Sequence, residues 1–219
     1  MIVQIYEVGN PKEAKELAKL GVDHIGVLTG TGNFPRELTF KQTSDIFSSL
    51  PKDTKKVALS LTGDVDEISE LITECNPDIL HAGARPEMLS PLQTEKLKRD
   101  FPDTEFMRAI PVISKESIRL ALEYAGIVNY LLLDTYNKET LEVGATGKVH
   151  DWRISREIVE KVKIPVILAG GLGPENVIEA IKVVRPAGVD SKTKTDRIDG
   201  KGKDLEKVRE FVKLAKSFS

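Results

Sequence analysis

The stretch Pro165–Ala180, PVILAGGLGPENVIEA, decides how the chain is read. Val166 to Ala169 is a short apolar run of the kind a strand buried on both faces requires. Gly170, Gly171 and Gly173 follow, and glycines this dense permit tight turns and close approach to bare backbone. Pro174 suits the first turn of a helix, and Glu175 its positive end. Strand, glycine turn and helix N-terminus in that order can cradle an anion with backbone N–H groups. The same pattern also serves as a plain strand-to-helix turn whose glycines allow packing.

Working outward, the strand-then-helix unit recurs along the whole chain. Strands are expected at Ile2–Val8, Val22–Leu28, Lys56–Leu61, Asp78–His81, Glu105–Ile110, Asn129–Asp134 and Ala187–Asp190. Helices are expected at Pro11–Leu20, from the Thr39 cap to Leu50, from the Asp64 cap through Ile72, and at Ser90–Arg99. Three more follow: Lys115–Tyr124 behind a Ser114 cap, Trp152–Lys161 and Lys203–Lys216. One long loop, Thr135–His150, breaks the rhythm. Eight such pairs in 219 residues imply parallel strands and a single α/β domain, a (β/α)8 TIM barrel over 1–219. An open doubly wound sheet is the rival.

Composition narrows the function. A net charge of −2 supplies no basic field for nucleic acid or a membrane surface. No apolar run approaches the ~18 residues that span a bilayer, and Met1 leads directly into strand-like sequence rather than a signal peptide. The single cysteine, Cys75, excludes an internal disulfide and a Cys-rich zinc site. It reads as a buried, inert thiol, and the chain as cytoplasmic.

A barrel carries its site at the C-terminal ends of its strands, with phosphate commonly held after strands seven and eight. Those ends carry Tyr6, Glu7, Arg36, His81, Arg108, Asp134, the glycine turn, and Asp190 followed by Ser191, Lys192, Thr193 and Lys194. Asp134 is placed either to transfer a proton or to brace a loop. Glu7 is a second candidate base, yet strand alternation turns it toward the helices if Tyr6 faces inward. Tyr6 reads as a pocket-lining residue, and His81 as a hydrogen-bonded histidine of the mouth. Arg36 offers a fork suited to a carboxylate. Lys192 and Lys194 either add charge to a phosphate site or fold inward and close it. Trp152 reads as packing, and His24 and His150 receive no role.

Several of these segments resemble the phosphoribosylanthranilate isomerase family: LLLDT at 131–135, GATGKVHDW at 144–152, LAGGLGPENV at 168–177, GVD at 188–190 and GKGKD at 200–204. GVDHIGV at 21–27, FPREL at 34–38 and LHAG at 80–83 match more loosely. The resemblance implies a cofactor-independent, metal-free isomerase of tryptophan biosynthesis, monomeric or homodimeric, acting on a small phosphorylated metabolite. The family reaction is an Amadori rearrangement of an aminoaldose to an aminoketose. By resemblance, Asp134 is the general acid, Arg36 holds the substrate carboxylate, and Gly170 and Gly171 belong to the phosphate loop.

Two family motifs are absent. Its first strand ends Lys-Ile-Cys-Gly, with the cysteine as general base, where this chain has Gln4-Ile5-Tyr6-Glu7. Its Ser-Ser-Gly after strand eight is replaced by SKTKTD at 191–196. A tyrosine, with a reference pKa of about 10, is a poor base near neutrality. Alternatives to the family isomerase are therefore a different phosphosugar epimerase, aldolase or lyase, or an inactive phosphometabolite-binding paralogue.

Overall fold

The computed structural model describes residues 1–137, 142–143 and 149–218. The parallel strands β1 (Ile2–Ile5), β2 (His24–Leu28), β3 (Lys55–Ser60), β4 (Ile79–Ala82), β5 (Glu105–Pro111), β6 (Tyr130–Asp134), β7 (Val166–Leu168) and β8 (Gly188–Ser191) close into a barrel. The helices α1 (Pro11–Lys19), α2 (Phe40–Ser48), α3 (Val65–Cys75), α4 (Pro91–Asp100), α5 (Glu116–Ala125), α6 (Trp152–Lys161), α7 (Val177–Val184) and α8 (Leu205–Lys216) alternate with the strands. A small antiparallel pairing of Tyr136–Asn137 with Glu142–Val143 stands above β6. The expected long loop and the GATGKV stretch fall partly on residues 138–141 and 144–148, outside the described residues.

The two layers of core follow from strand alternation. Side chains facing the helices, such as Val3, Ile5, Ile25, Leu80, Phe106, Leu131 and Val189, join one large apolar cluster with the helix faces. Val57, Ile79, Met107, Leu132, Ile167 and Ala169 fill the barrel axis. Fixed caps start several helices. Thr39 and Ser90 form capping boxes with Gln42 and Gln93, and the Asp64 carboxylate accepts from the N–H groups of Asp66 and Glu67.

Three sequence expectations need correction. The first strand stops at Ile5, not Val8, because Glu7 adopts a left-handed φ of 55°. Helix α7 starts at Val177, not at Pro174. The Asn176 side chain instead braces the turn, accepting from the Gly173 N–H at 2.9 Å and donating to the Gly171 carbonyl at 3.0 Å. Arg108 does not reach the mouth. Met107 and Ala109 face the barrel axis, so Arg108 faces the helices, where it is wholly buried. There it donates to the Ala82 carbonyl at 2.9 Å and lies 4.9 Å from the centre of the Tyr124 ring. Cys75 is buried as expected, and burial pushes its thiol up to about 12.

Gly26 on β2 faces inward beneath Tyr6. A Cβ there would lie 2.1 Å from Tyr6 Cδ1, so the bulky ring fits only because this position is bare. Gly26→Ala is expected to lower stability by about 1–3 kcal/mol, as overpacking does. Thermal unfolding of Gly26→Ala alone and combined with Tyr6→Ala checks it: the smaller residue at position 6 must restore most of the loss.

Candidate active site

The register of the strands assembles the site from below. Gln4 pairs with Asp190 on one side and His24 on the other. All three side chains point into the barrel and are buried. His24 Nδ1–H donates to Gln4 Oε1 at 3.0 Å, and Gln4 Nε2 donates to Asp190 Oδ1 at 3.3 Å. Burial holds His24 neutral, its pKa lowered to about 4, so this chain of hydrogen bonds has one direction. It aims the Asp190 carboxyl at the top of the barrel.

Asp134 ends β6 and lines the same space. Asp134, Asp190, Tyr6, Glu7, His81 and Lys192 surround a cavity of about 100 Å³, with Leu28, Leu59, Leu61, Gly83, Ala109 and Leu132 as apolar wall. Burial raises the Asp134 pKa to about 7, against the hydrogen bonds that its Oδ1 accepts from the Thr135 N–H at 2.7 Å and hydroxyl at 3.3 Å. Asp190 is pushed well above the usual carboxylate range, by burial first and by the field of Asp134 second. Two carboxyls so placed do not both ionise readily. They behave as a pair that keeps a proton near neutrality.

Tyr6 lies inward and buried, its hydroxyl 2.5 Å from His81 Nδ1. Burial, with the fields of Asp190 and Asp134, raises the phenol well above 10. Burial and the nearby Arg108 charge lower His81 to about 3. Both groups are therefore neutral, the phenol donates to Nδ1, and the His81 proton sits on Nε2, which has no partner among the described residues. A phenol held this firmly neutral lines the pocket.

Glu7 reverses the alternation argument. Its left-handed backbone swings it off the strand and into the mouth. Its Oε2 accepts from Arg36 Nη1 at 2.6 Å and forms an ion pair with Lys192 Nζ at 3.2 Å. Lys192 Nζ also meets Asp196 Oδ2 at 3.3 Å, whose Oδ1 lies 2.6 Å from the buried Lys203 Nζ. Lys194 turns away to Glu175 at 2.9 Å.

The glycine turn closes the other side. Gly170 and Gly171 have φ of 85° and 65°, open to glycine at little cost. With Leu172, Ser191, Lys192 and Thr193 they line a niche of about 30 Å³ that Asp134 and Asp190 also touch. No described residue accepts from the N–H groups of Gly171, Leu172 or Lys192. The Ser191 hydroxyl donates to the Leu172 carbonyl at 2.6 Å, which ties the seventh turn to the eighth. Among the described residues no group of three His, Cys, Asp or Glu side chains is placed to hold a metal ion.

Sequence reasoning missed three participants. Gln4 and His24 sit mid-strand, and only barrel register shows that they touch Asp190. His150 stands beside the carboxyl pair: its Nδ1 and Asp134 Oδ1 lie 3.0 and 3.3 Å from where a Gly170 Cβ would be. Its Nε2 is 2.6 Å from the Ser155 hydroxyl, and burial lowers its pKa to about 4.

Two inward-facing carboxyls beside a small niche at the top of a closed parallel barrel form the site of an enzyme of the (β/α)8 class. Residues 4–214 match the family described as N-(5'phosphoribosyl)anthranilate (PRA) isomerase. The N-(5'-phosphoribosyl)anthranilate isomerase of Methanocella arvoryzae is 34% identical over 96% of this chain and 95% of its own length. The N-(5'-phosphoribosyl)anthranilate isomerase 2 of Methanosarcina mazei is 34% identical over 99% and 95%. The solved structure of the Pyrococcus furiosus N-(5'-phosphoribosyl)anthranilate isomerase superposes with a TM-score of 0.78 at 28% identity, covering 99% of each chain. The chain belongs to the phosphoribosylanthranilate isomerase family, and it is an isomerase of that type.

The raised Asp134 pKa has a consequence for folding. A carboxyl whose folded pKa lies above its unfolded value holds extra protons in the folded state between the two values. Its contribution to stability is complete below about 4 and is lost as pH rises to about 7. Asp134→Asn removes that loss. The variant is expected to gain stability over the wild type as pH goes from about 4 to about 7, by an amount on the order of a few kcal/mol. Denaturant unfolding at stepped pH checks this, and a difference that stays flat with pH contradicts the shift.

Proposed function

We propose that this site carries out an Amadori rearrangement of an N-substituted phosphoribosylamine, with Asp134 and Asp190 as its acid and base. The observation that carries the reading is the convergence of these two carboxyls on one cavity beside the glycine turn. The turn and the Ser191–Thr193 backbone receive the phosphate of a small phosphorylated metabolite, with free N–H groups as donors.

The chemistry follows from the coupling between the carboxyls. Asp134 starts protonated and gives its proton to the ring oxygen. The C1–O bond breaks, and the nitrogen lone pair completes a C1=N iminium. While Asp134 carries its proton, the field that helps raise Asp190 is absent, and burial alone opposes its ionisation. Once Asp134 is a carboxylate, its field raises the basicity of Asp190 at the moment a base is needed. Asp190 then takes the C2 proton, and the C–H electrons form C1=C2 and neutralise the iminium. Proton gain at C1 and loss from the C2 hydroxyl complete the ketose.

This assignment accounts for the missing cysteine and the missing lysine together. A lysine at position 4 would place a cation against Asp190 and lower its pKa, whereas Gln4 offers only a neutral donor. Tyr6 and Glu7 are left without a proton-transfer role, Tyr6 because it is neutral and bonded to His81, Glu7 because two cations hold its oxygen.

With phosphoribosylanthranilate as substrate, Asp134→Asn and Asp190→Asn are each expected to lower kcat/KM by about 10²–10⁴. The double variant falls little further, since the two act as a unit. Activity close to wild type in either single variant removes that residue from the mechanism. Gln4→Lys is expected to shift the pH profile of kcat/KM downward and to lower its maximum. An unchanged profile contradicts the role given to Asp190.

A further inference from the structure

Asp134 has an unused hydrogen-bonding group beside it. β6 and β7 pair through Leu133 and Leu168, so Asp134 and Gly170 leave the barrel side by side. His150 reaches the same place from the start of α6. The point a Gly170 Cβ would occupy lies 3.0 Å from His150 Nδ1 and 3.3 Å from Asp134 Oδ1. The glycine leaves that space open to both. Nδ1 is buried and has no partner among the described residues.

The far side of the ring decides what Nδ1 carries. Asp151 caps α6 by accepting from the Arg153 N–H at 2.9 Å, which fixes the chain next to His150. His150 Nε2 lies 2.6 Å from the hydroxyl of Ser155, a wholly buried residue whose hydroxyl has no other partner among the described residues. If the ring donated to Ser155, the serine proton and the Nδ1 lone pair would both be buried unpaired. With Ser155 donating to Nε2, a single group is left over, the N–H on Nδ1. The second arrangement leaves fewer groups unsatisfied, so the ring proton sits on Nδ1.

A buried N–H without an acceptor is costly, and the cost falls when an acceptor forms. A protonated Asp134 offers it little, since Oδ1 already accepts from the Thr135 N–H and hydroxyl. An ionised Asp134 offers a charged acceptor, and bonds of that kind are roughly twice as strong as neutral ones. A donor in place before the charge develops favours the transition state over the ground state.

We infer that His150 is a positioning residue for the general acid, its Nδ1–H taking up the Asp134 carboxylate as the proton leaves for the ring oxygen of the substrate. The inference rests on the reading of Asp134 as that acid. His150 transfers no proton and touches no substrate. The other ionisable groups that face Asp134 across the cavity are Asp190, Tyr6, Glu7, His81 and Lys192, and among the described residues none of them donates to it. Asp151 is the charge that acts on His150, and Arg153 holds it at 2.9 Å.

Nitrogen NMR of the histidine rings tests the tautomer in the wild type, with His150 assigned by the signals missing from either variant below. A proton on Nδ1 is expected, and a proton on Nε2 overturns the inference. His150→Phe keeps an aromatic ring and removes the donor. With phosphoribosylanthranilate it is expected to lower kcat about tenfold with KM nearly unchanged. The alkaline limb of the kcat profile is expected to move up by about one pH unit, because ionisation of Asp134 is no longer favoured. His150→Asn, whose amide nitrogen stands where Nδ1 stands, is expected to recover most of both effects. A lower kcat with an unmoved limb, or no recovery in His150→Asn while circular dichroism shows a native fold, reduces His150 to packing and overturns the inference. Asp134→Asn separates the two levels: full activity in that variant removes the acid itself and this inference with it, whereas its inactivity leaves the acid standing when the His150 results fail.

Discussion

Charge is segregated across the top of the barrel, and the reactivity of the site depends on that separation. The cations of the mouth, Arg36, Lys192 and Lys203, are held on the side of Glu7 and Asp196. Among the described residues Asp134 and Asp190 accept hydrogen bonds only from neutral donors, Thr135 and Gln4, and the field of Lys203 offsets only part of the burial of Asp190. The magnitude involved is large. A unit charge at about 4 Å in a medium of effective dielectric about 20 contributes about 4 kcal/mol, or roughly three pKa units. One lysine turned from Glu7 to Asp190 would thus cancel a shift of the size that burial imposes on Asp134. Glu7 and Asp196 keep the cations occupied, and the paired carboxyls stay basic enough to exchange protons near neutrality.

The floor of the site obeys a steric rule instead. Tyr6 stands where the family carries a small thiol, and its ring needs the volume that a side chain at position 26 would take. Its hydroxyl needs a partner at depth, which His81 supplies from β4, across the barrel interior. Ring, glycine and imidazole therefore form one unit. None of the three can change alone without a clash or an unsatisfied polar group. The unit fills the end of strand one with neutral groups, in keeping with the proposed assignment of proton transfer to the acids on β6 and β8.

The fold was legible because its signals are local and repeated. Eight apolar runs, each followed by an amphipathic helix, several of them started by a cap such as Thr39, Asp64 or Ser90, fix both the class and the closure. The rim was legible in part, since strand ends are set by where apolar runs stop, as at Asp134. The failures came where a single backbone angle or a cross-strand register decides the outcome. Period-two alternation sends Glu7 to the helices, yet one left-handed residue returns it to the mouth. The same alternation, applied strictly, takes Arg108 away from the mouth. Gln4 and His24 read as ordinary strand residues until register places them on either side of the same hydrogen-bond chain.

The aim of Glu7 is imposed by the barrel more than by its ion pairs. A non-glycine residue in the left-handed region costs on the order of 1–2 kcal/mol, and Arg36 incurs a second such cost. The Arg36 side chain is 56% exposed, and a pair so open to solvent contributes about 0–1 kcal/mol. It cannot offset both. The backbone on either side of Glu7 supplies the rest: the Tyr6 N–H donates to the Ser191 carbonyl at 3.2 Å, and the Val8 N–H to the Gly26 carbonyl at 3.1 Å. Those two bonds pull the chain first toward β8 and then toward β2, so the residue between them must turn. The turn directs its side chain over the cavity, and the cations gather on a carboxylate that the fold has already placed.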